Sequence, residues 1–100
     1  MPDNPLAAMN RLDPQLMAHL ERSNELIYGS GAIPRKYKLL IAMAFDAAHG
    51  AEGGVRALAN AAIREGASTQ EITEVLRVAY YLSGVGTLYT ASRALSEIAP

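Results

Sequence analysis

At mid-chain the stretch Ala48-His49-Gly50-Ala51-Glu52-Gly53-Gly54-Val55-Arg56-Ala57-Leu58 separates two long apolar segments, both with helical spacing. The segment before it builds toward a helix end at His49-Gly50, and the one after it restarts a helix that runs to Gly66. No alternating strand pattern occurs on either side, so the chain is limited to helices packed on helices. Backbone N–H and carbonyl groups at such a break lack helical partners. Any chemistry is expected there.

The remaining punctuation is read in order. Met1 to Leu12 is a weakly patterned lead-in with Pro2 and Pro5, in which Leu6, Met9 and Leu12 suit a short docking helix. Asp13-Pro14 starts the first long helix, with Asp as N-cap and Pro in the first turn. Leu16, Met17, Leu20 and Ile27 give it an apolar side, and Gly29-Ser30-Gly31 ends it. Ile33-Pro34 starts the second. Arg35, Lys36 and Lys38 near its N-terminus are mildly disfavoured by the helix dipole, and either partner carboxylates or solvation must offset that. From Leu39 to Phe45 this helix is apolar on nearly every side, as in a helix central to a core or an oligomer, and Asp46 is the first charge to interrupt it. The third helix spans about Ala51 to Glu65, with Gly66 as its stop. Ser68-Thr69-Gln70-Glu71 is a capping box opening the fourth, whose Glu71, Glu74 and Arg77 are read as solvated. Gly84-Val85-Gly86 precedes a last helix over roughly Thr87 to Glu97. The expectation is an all-α bundle of five to six helices, residues 13–100 forming one domain behind the lead-in.

Half of the 100 residues are apolar, many of them alanine and few aromatic. Alanine contacts bury little area each, which leaves apolar surface for a partner, most simply a second copy. A net charge of −1 offers no basic stripe for phosphates, so nucleic acid is not expected as a partner. No apolar run approaches the ~20 residues of a membrane span, and no secretory pattern opens the chain, so a cytoplasmic location is expected. The chain has no cysteine, which removes disulfides, zinc–thiolate sites and thiol catalysis. Neither a cofactor nor a metal is expected.

Two runs carry a family resemblance. They are Tyr28-Gly29-Ser30-Gly31-Ala32-Ile33-Pro34-Arg35-Lys36-Tyr37-Lys38-Leu39-Leu40-Ile41-Ala42-Met43-Ala44 and Gly66-Ala67-Ser68-Thr69-Gln70-Glu71-Ile72-Thr73-Glu74-Val75-Leu76. In order, spacing and total length the chain resembles the carboxymuconolactone decarboxylase superfamily, and within it the small alkylhydroperoxidase D-like members. The resemblance implies a helical fold assembled as trimers or hexamers. In the redox members it implies a Cys-x-x-Cys opening the helix after the break, a His four residues beyond the second Cys, and a Glu in the preceding helix. A helix N-terminus lowers a thiol's pKa, and Glu with His moves the proton. Carried onto this chain, the cysteine positions match Ala51 and Gly54, the histidine position Leu58 and the glutamate position Leu39. None of these can do the family's chemistry. The lactone-decarboxylating members, which do without cysteines, carry a His that also aligns with Leu58.

What remains near the break is His49, Glu52 and a glycine pair. His49 can serve as an acid or base near neutral pH, or cap the helix end, where a cation is favourable. Glu52 can balance the dipole of the third helix or share proton transfer with His49. Gly53 and Gly54 either mark a frayed helix start or leave room for a small carboxylate or phosphate at exposed N–H groups. The resulting expectation is a homo-oligomer that keeps the family scaffold without its thiol centre, as a binding or structural protein. The alternatives are a non-thiol enzyme moving a proton on a small carboxylated substrate through His49 and Glu52, or a partner of a cysteine-bearing paralogue.

Overall fold

The computed structural model describes residues 4–98, so Pro2 of the lead-in lies outside the described residues. Six helices follow in order: α1 (Ala7–Leu12), α2 (Pro14–Tyr28), α3 (Arg35–Ala48), α4 (Glu52–Arg64), α5 (Thr69–Ser83) and α6 (Gly86–Ala94). No strand occurs among the described residues. None of these helices is long and apolar enough to cross a membrane.

The starts and stops are set by local chemistry. Asp13 Oδ1 accepts from the Leu16 N–H at 2.9 Å and caps α2. Ser68 Oγ accepts from the Glu71 N–H, and the Ser68 N–H donates to Glu71 Oε1, both at 3.0 Å, completing the capping box of α5. Gly66 stops α4 at φ +98°, a conformation that only glycine adopts without strain.

Helix α3 is the centre. It packs on α4 and α5, and α6 closes over all three. Leu39, Leu40, Met43 and Ala47 of α3 meet Val55, Ala59 and Ala62 of α4, Ile72 of α5, and Ala91 and Ala94 of α6 in a single core. The small residues let the helices approach closely, so the buried methyl groups gain dispersion contacts on several sides.

The basic cluster at the start of α3 has protein partners, carboxylates for Arg35 and Lys36 and a backbone carbonyl for Lys38, rather than solvent alone. Arg35 Nε lies 3.5 Å from Glu65 at the end of α4, Lys36 Nζ lies 3.2 Å from Glu71 at the start of α5, and Lys38 Nζ donates to the Gly29 carbonyl at 2.6 Å. One helix end is thus tied to three others. Glu71 is therefore not a simple solvated residue: the Ser68 N–H, then Lys36, hold its carboxyl below the usual range.

The apolar side of α2 is largely uncovered: no residue of α2 is buried, Tyr28 at its end packs against the core, and the helix touches the rest of the molecule mainly through α1 and the start of α3. Helix α6 ends at Ala94 rather than near Glu97, and residues 95–98 continue as turns.

Candidate functional site

His49, Ala51, Glu52, Gly53 and Gly54 lie where α3 ends and α4 begins, while Leu39 lies near the start of α3 and Leu58 midway along α4. His49 is the C-cap of α3. Its N–H donates to the Phe45 carbonyl at 3.0 Å, and Gly50 turns the chain at φ +79°. Ala51, the N-cap of α4, donates its N–H to the Asp46 carbonyl at 2.8 Å, which fastens the turn to α3. The His49 side chain is exposed, with its ring centroid 6.4 Å from that of Phe45.

The four positions that the resemblance assigns to thiol chemistry are distributed as follows. Leu39 is 3% exposed in the core of α3. Leu58 is half-buried against that core from α4. Ala51 sits at the surface, and Gly54 lies inside the first turn of α4. Hydrocarbon or hydrogen stands at each.

The glycine pair is neither frayed nor open. Both residues are helical; a side chain on Gly53 would crowd Pro5, and one on Gly54 would displace Asp46. A Cβ on Gly53 would stand 3.0 Å from Pro5 Cβ. A Cβ on Gly54 would overlap a carboxylate oxygen of Asp46 and stand 2.9 Å from its Cγ. The space that an anion was expected to take beside Gly53 and Gly54 thus borders a carboxylate and a proline. A carboxylate close to the first turn of a helix is favoured by that helix's dipole.

Asp46 is the residue that sequence reasoning left without a role. Burial raises its carboxyl above the usual range, and the charge of nearby His49 pulls it partly back. The signal was present in the sequence. A lone carboxylate interrupts an apolar helix, and a glycine with no turn to make stands eight residues later.

Glu52 is engaged elsewhere. It lies 3.5 Å from Arg56 Nη2 on its own helix and accepts from Arg93 Nε of α6 at 3.2 Å. Arg56 Nε also donates to the Ala94 carbonyl at 3.3 Å. The pair therefore fastens the start of α4 to the end of α6. The structure brings His49 and Asp46 together, while Glu52 is turned toward arginines. Among the described residues no cluster of His, Asp or Glu is arranged to hold a metal ion.

Comparison with known proteins bears on the same region. Residues 14–97 match the model of the carboxymuconolactone decarboxylase family. No curated protein sequence matches the chain. Among solved structures, the crystal structure of an apo carboxymuconolactone decarboxylase family protein from Legionella pneumophila superposes with a TM-score of 0.81 at 30% identity, covering 91% of this chain and 81% of that one. A helical body with a break between α3 and α4, matched by family over nearly all of its length, leaves one conclusion: the chain belongs to the carboxymuconolactone decarboxylase family.

Proposed function

We propose that this protein is a family member without a thiol redox centre, acting as a non-redox binding or structural homo-oligomer. The observation that carries the reading is the packing of the site. Leu39 is part of the core, Leu58 packs on it, and Gly54 is glycine where Asp46 presses against α4. With no cysteine in the chain, no residue can form the thiolate that attacks the O–O bond of a hydroperoxide or the S–S bond of a disulfide. The unburied α2 and the exposed aromatic and aliphatic residues of α5 support assembly with further copies.

The purified protein is expected to turn over neither alkyl hydroperoxides nor a disulfide substrate with dithiol or pyridine-nucleotide-linked reductants. Turnover above the buffer rate that survives repurification would overturn the reading.

One observation favours a second reading, proton transfer on a small carboxylated molecule. Asp46 holds its proton more tightly than an ordinary carboxyl and stands near His49. In that reading His49 acts with Asp46, because Glu52 is held by Arg56 and Arg93. Its test is a substrate screen followed by His49→Ala. Unchanged turnover in the variant removes His49 from the chemistry.

A further inference from the structure

The two glycines that open α4 are covered by different parts of the chain. Asp46 of α3 presses on Gly54, and Pro5 of the N-terminal segment seats on Gly53. Pro5 leads into an arm made of α1 and α2, whose two ends are held unequally. At the end next to α3, Arg35 Nη1 donates to the Tyr28 carbonyl at 3.4 Å and Lys38 Nζ to the Gly29 carbonyl at 2.6 Å. The Arg35 guanidinium also lies 6.0 Å from the centre of the Tyr28 ring. At the other end Pro5 meets Gly53 through an apolar contact. Among the described residues, the hydrogen bonds of residues 4–12 are made within that segment or with Asp13. Asn4 Oδ1 accepts from the Leu6 N–H at 3.0 Å, and the Asn4 carbonyl from the Ala7 N–H at 3.1 Å. Neither α1 nor α2 buries a residue between the two ends. The 15 residues of α2 rise about 22 Å and the 14 of α3 about 21 Å. The arm is therefore long enough to run from the start of α3 back to the α3–α4 break, where Pro5 meets α4.

We propose that the α1–α2 arm is a strap that opens and closes over the α3–α4 break, tethered at residues 29–34 and latched by Pro5 on Gly53. The latch suits both states. Proline has a fixed φ, so seating it costs little chain freedom. Glycine leaves the notch that receives it, which accounts for a residue otherwise disfavoured inside a helix. The contact joins two small groups, so it holds weakly. Helix α1 has six residues, too few to persist in water without support. Once Pro5 lifts, residues 4–12 unravel while the tether at Arg35 and Lys38 keeps the arm in place. Opening bares the first turn of α4, whose N–H groups have no helical acceptors, beside the Gly54 on which Asp46 presses. The strap thereby sets the access of solvent and small solutes to the break. This inference goes beyond both functional readings, since it concerns what reaches the break and not what happens there.

The test is limited trypsin cleavage of the full chain, comparing the bond after Arg11, exposed in α1, with the bond after Arg77, exposed in α5. Cleavage under native conditions follows the population of the opened form. In the parent, Arg11 is expected to be cut at least tenfold faster than Arg77. The chain has no cysteine, so Pro5→Cys with Gly53→Cys introduces one pair that can lock the latch. A Cβ on Gly53 stands 3.0 Å from Pro5 Cβ, inside the ~3.8 Å usual across a disulfide, so a small outward shift admits the bridge. Oxidation should close that bridge within one chain and abolish the lead of Arg11 over Arg77, and dithiothreitol should restore it. Gly53→Ala supplies an independent sign. Alanine is the better helix former, yet its methyl crowds Pro5, so the lead of Arg11 should widen several-fold. Equal cleavage of the two bonds in the parent overturns the proposal, as does a lead that persists in the oxidised pair. A pair that fails to oxidise, or that links two chains, overturns it as well. So does a lead that narrows in Gly53→Ala, the outcome of helix propensity acting alone.

Discussion

The residue on which the site turns is Asp46. It projects from the last turn of α3 to where a Cβ on Gly54 would be, and burial raises its carboxyl. A raised carboxyl pKa means that the folded state keeps its proton when the unfolded chain, with a value near 3.8, has lost it. The slope of stability with pH is then negative between the unfolded and the folded value, so Asp46 lowers stability as pH rises through that window and throughout the neutral range. Asp46→Asn keeps the shape and removes the buried charge. It should be more stable than the parent at neutral pH and lose that advantage below both values, as read from thermal melts across the acid range. A constant difference at every pH would contradict this. The overlap also predicts the effect of Gly54→Ala. The added methyl pushes the carboxylate toward water, and the Asp46 titration, followed by carboxyl NMR, should return toward the ordinary range. The two unusual residues stood in the sequence, but their pairing did not. Asp46 and Gly54 are adjacent only because the break at His49-Gly50-Ala51 folds α4 back along α3, and Gly53 meets Pro5 only through the path of the N-terminal segment.

At the scale of the element, the legible parts are those decided within a few residues. Asp13, the Ser68–Glu71 box and the Gly66 stop behave as their local chemistry dictates. Removing the Ser68 hydroxyl leaves the Glu71 N–H without its acceptor. Ser68→Ala should therefore cost about 1 kcal/mol in urea unfolding. The Glu71 carboxyl is lowered, so its contribution is present above about pH 4.5, its unfolded value, and is lost as pH falls through the folded value. It thus opposes Asp46 on the acid side. The illegible parts depend on what each helix meets. The apolar spacing of Leu16, Met17, Leu20 and Ile27 gives α2 one apolar side, yet the sequence does not say whether a covering surface lies in the same chain. The end of α6 was misplaced because residues 95–98 carry no strong stop signal.

For the whole molecule, helices packed around α3 form the family's body, and the break between α3 and α4 is a packing joint. Arg35, Lys36 and Lys38 anchor one end of α3, the Ala51 N–H bonded to the Asp46 carbonyl fastens the other to the turn, and the Glu52–Arg93 pair ties α4 to α6. Fold and family were readable because helix caps, loop lengths and apolar spacing do not depend on any reactive group. If hydrocarbon packing stands where the resemblance places a proton path, Leu39 is the position that shows it most directly. Leu39→Glu puts a carboxylate at the position that the resemblance assigns to a glutamate. In a dry core with no partner for the charge, it should lower unfolding free energy by more than about 3 kcal/mol at neutral pH, with partial recovery at acid pH as the carboxyl takes up a proton. A variant as stable as the parent to within about 1 kcal/mol, a change typical of a solvated position, would show that a polar cavity persists beside Leu39 and would contradict the account.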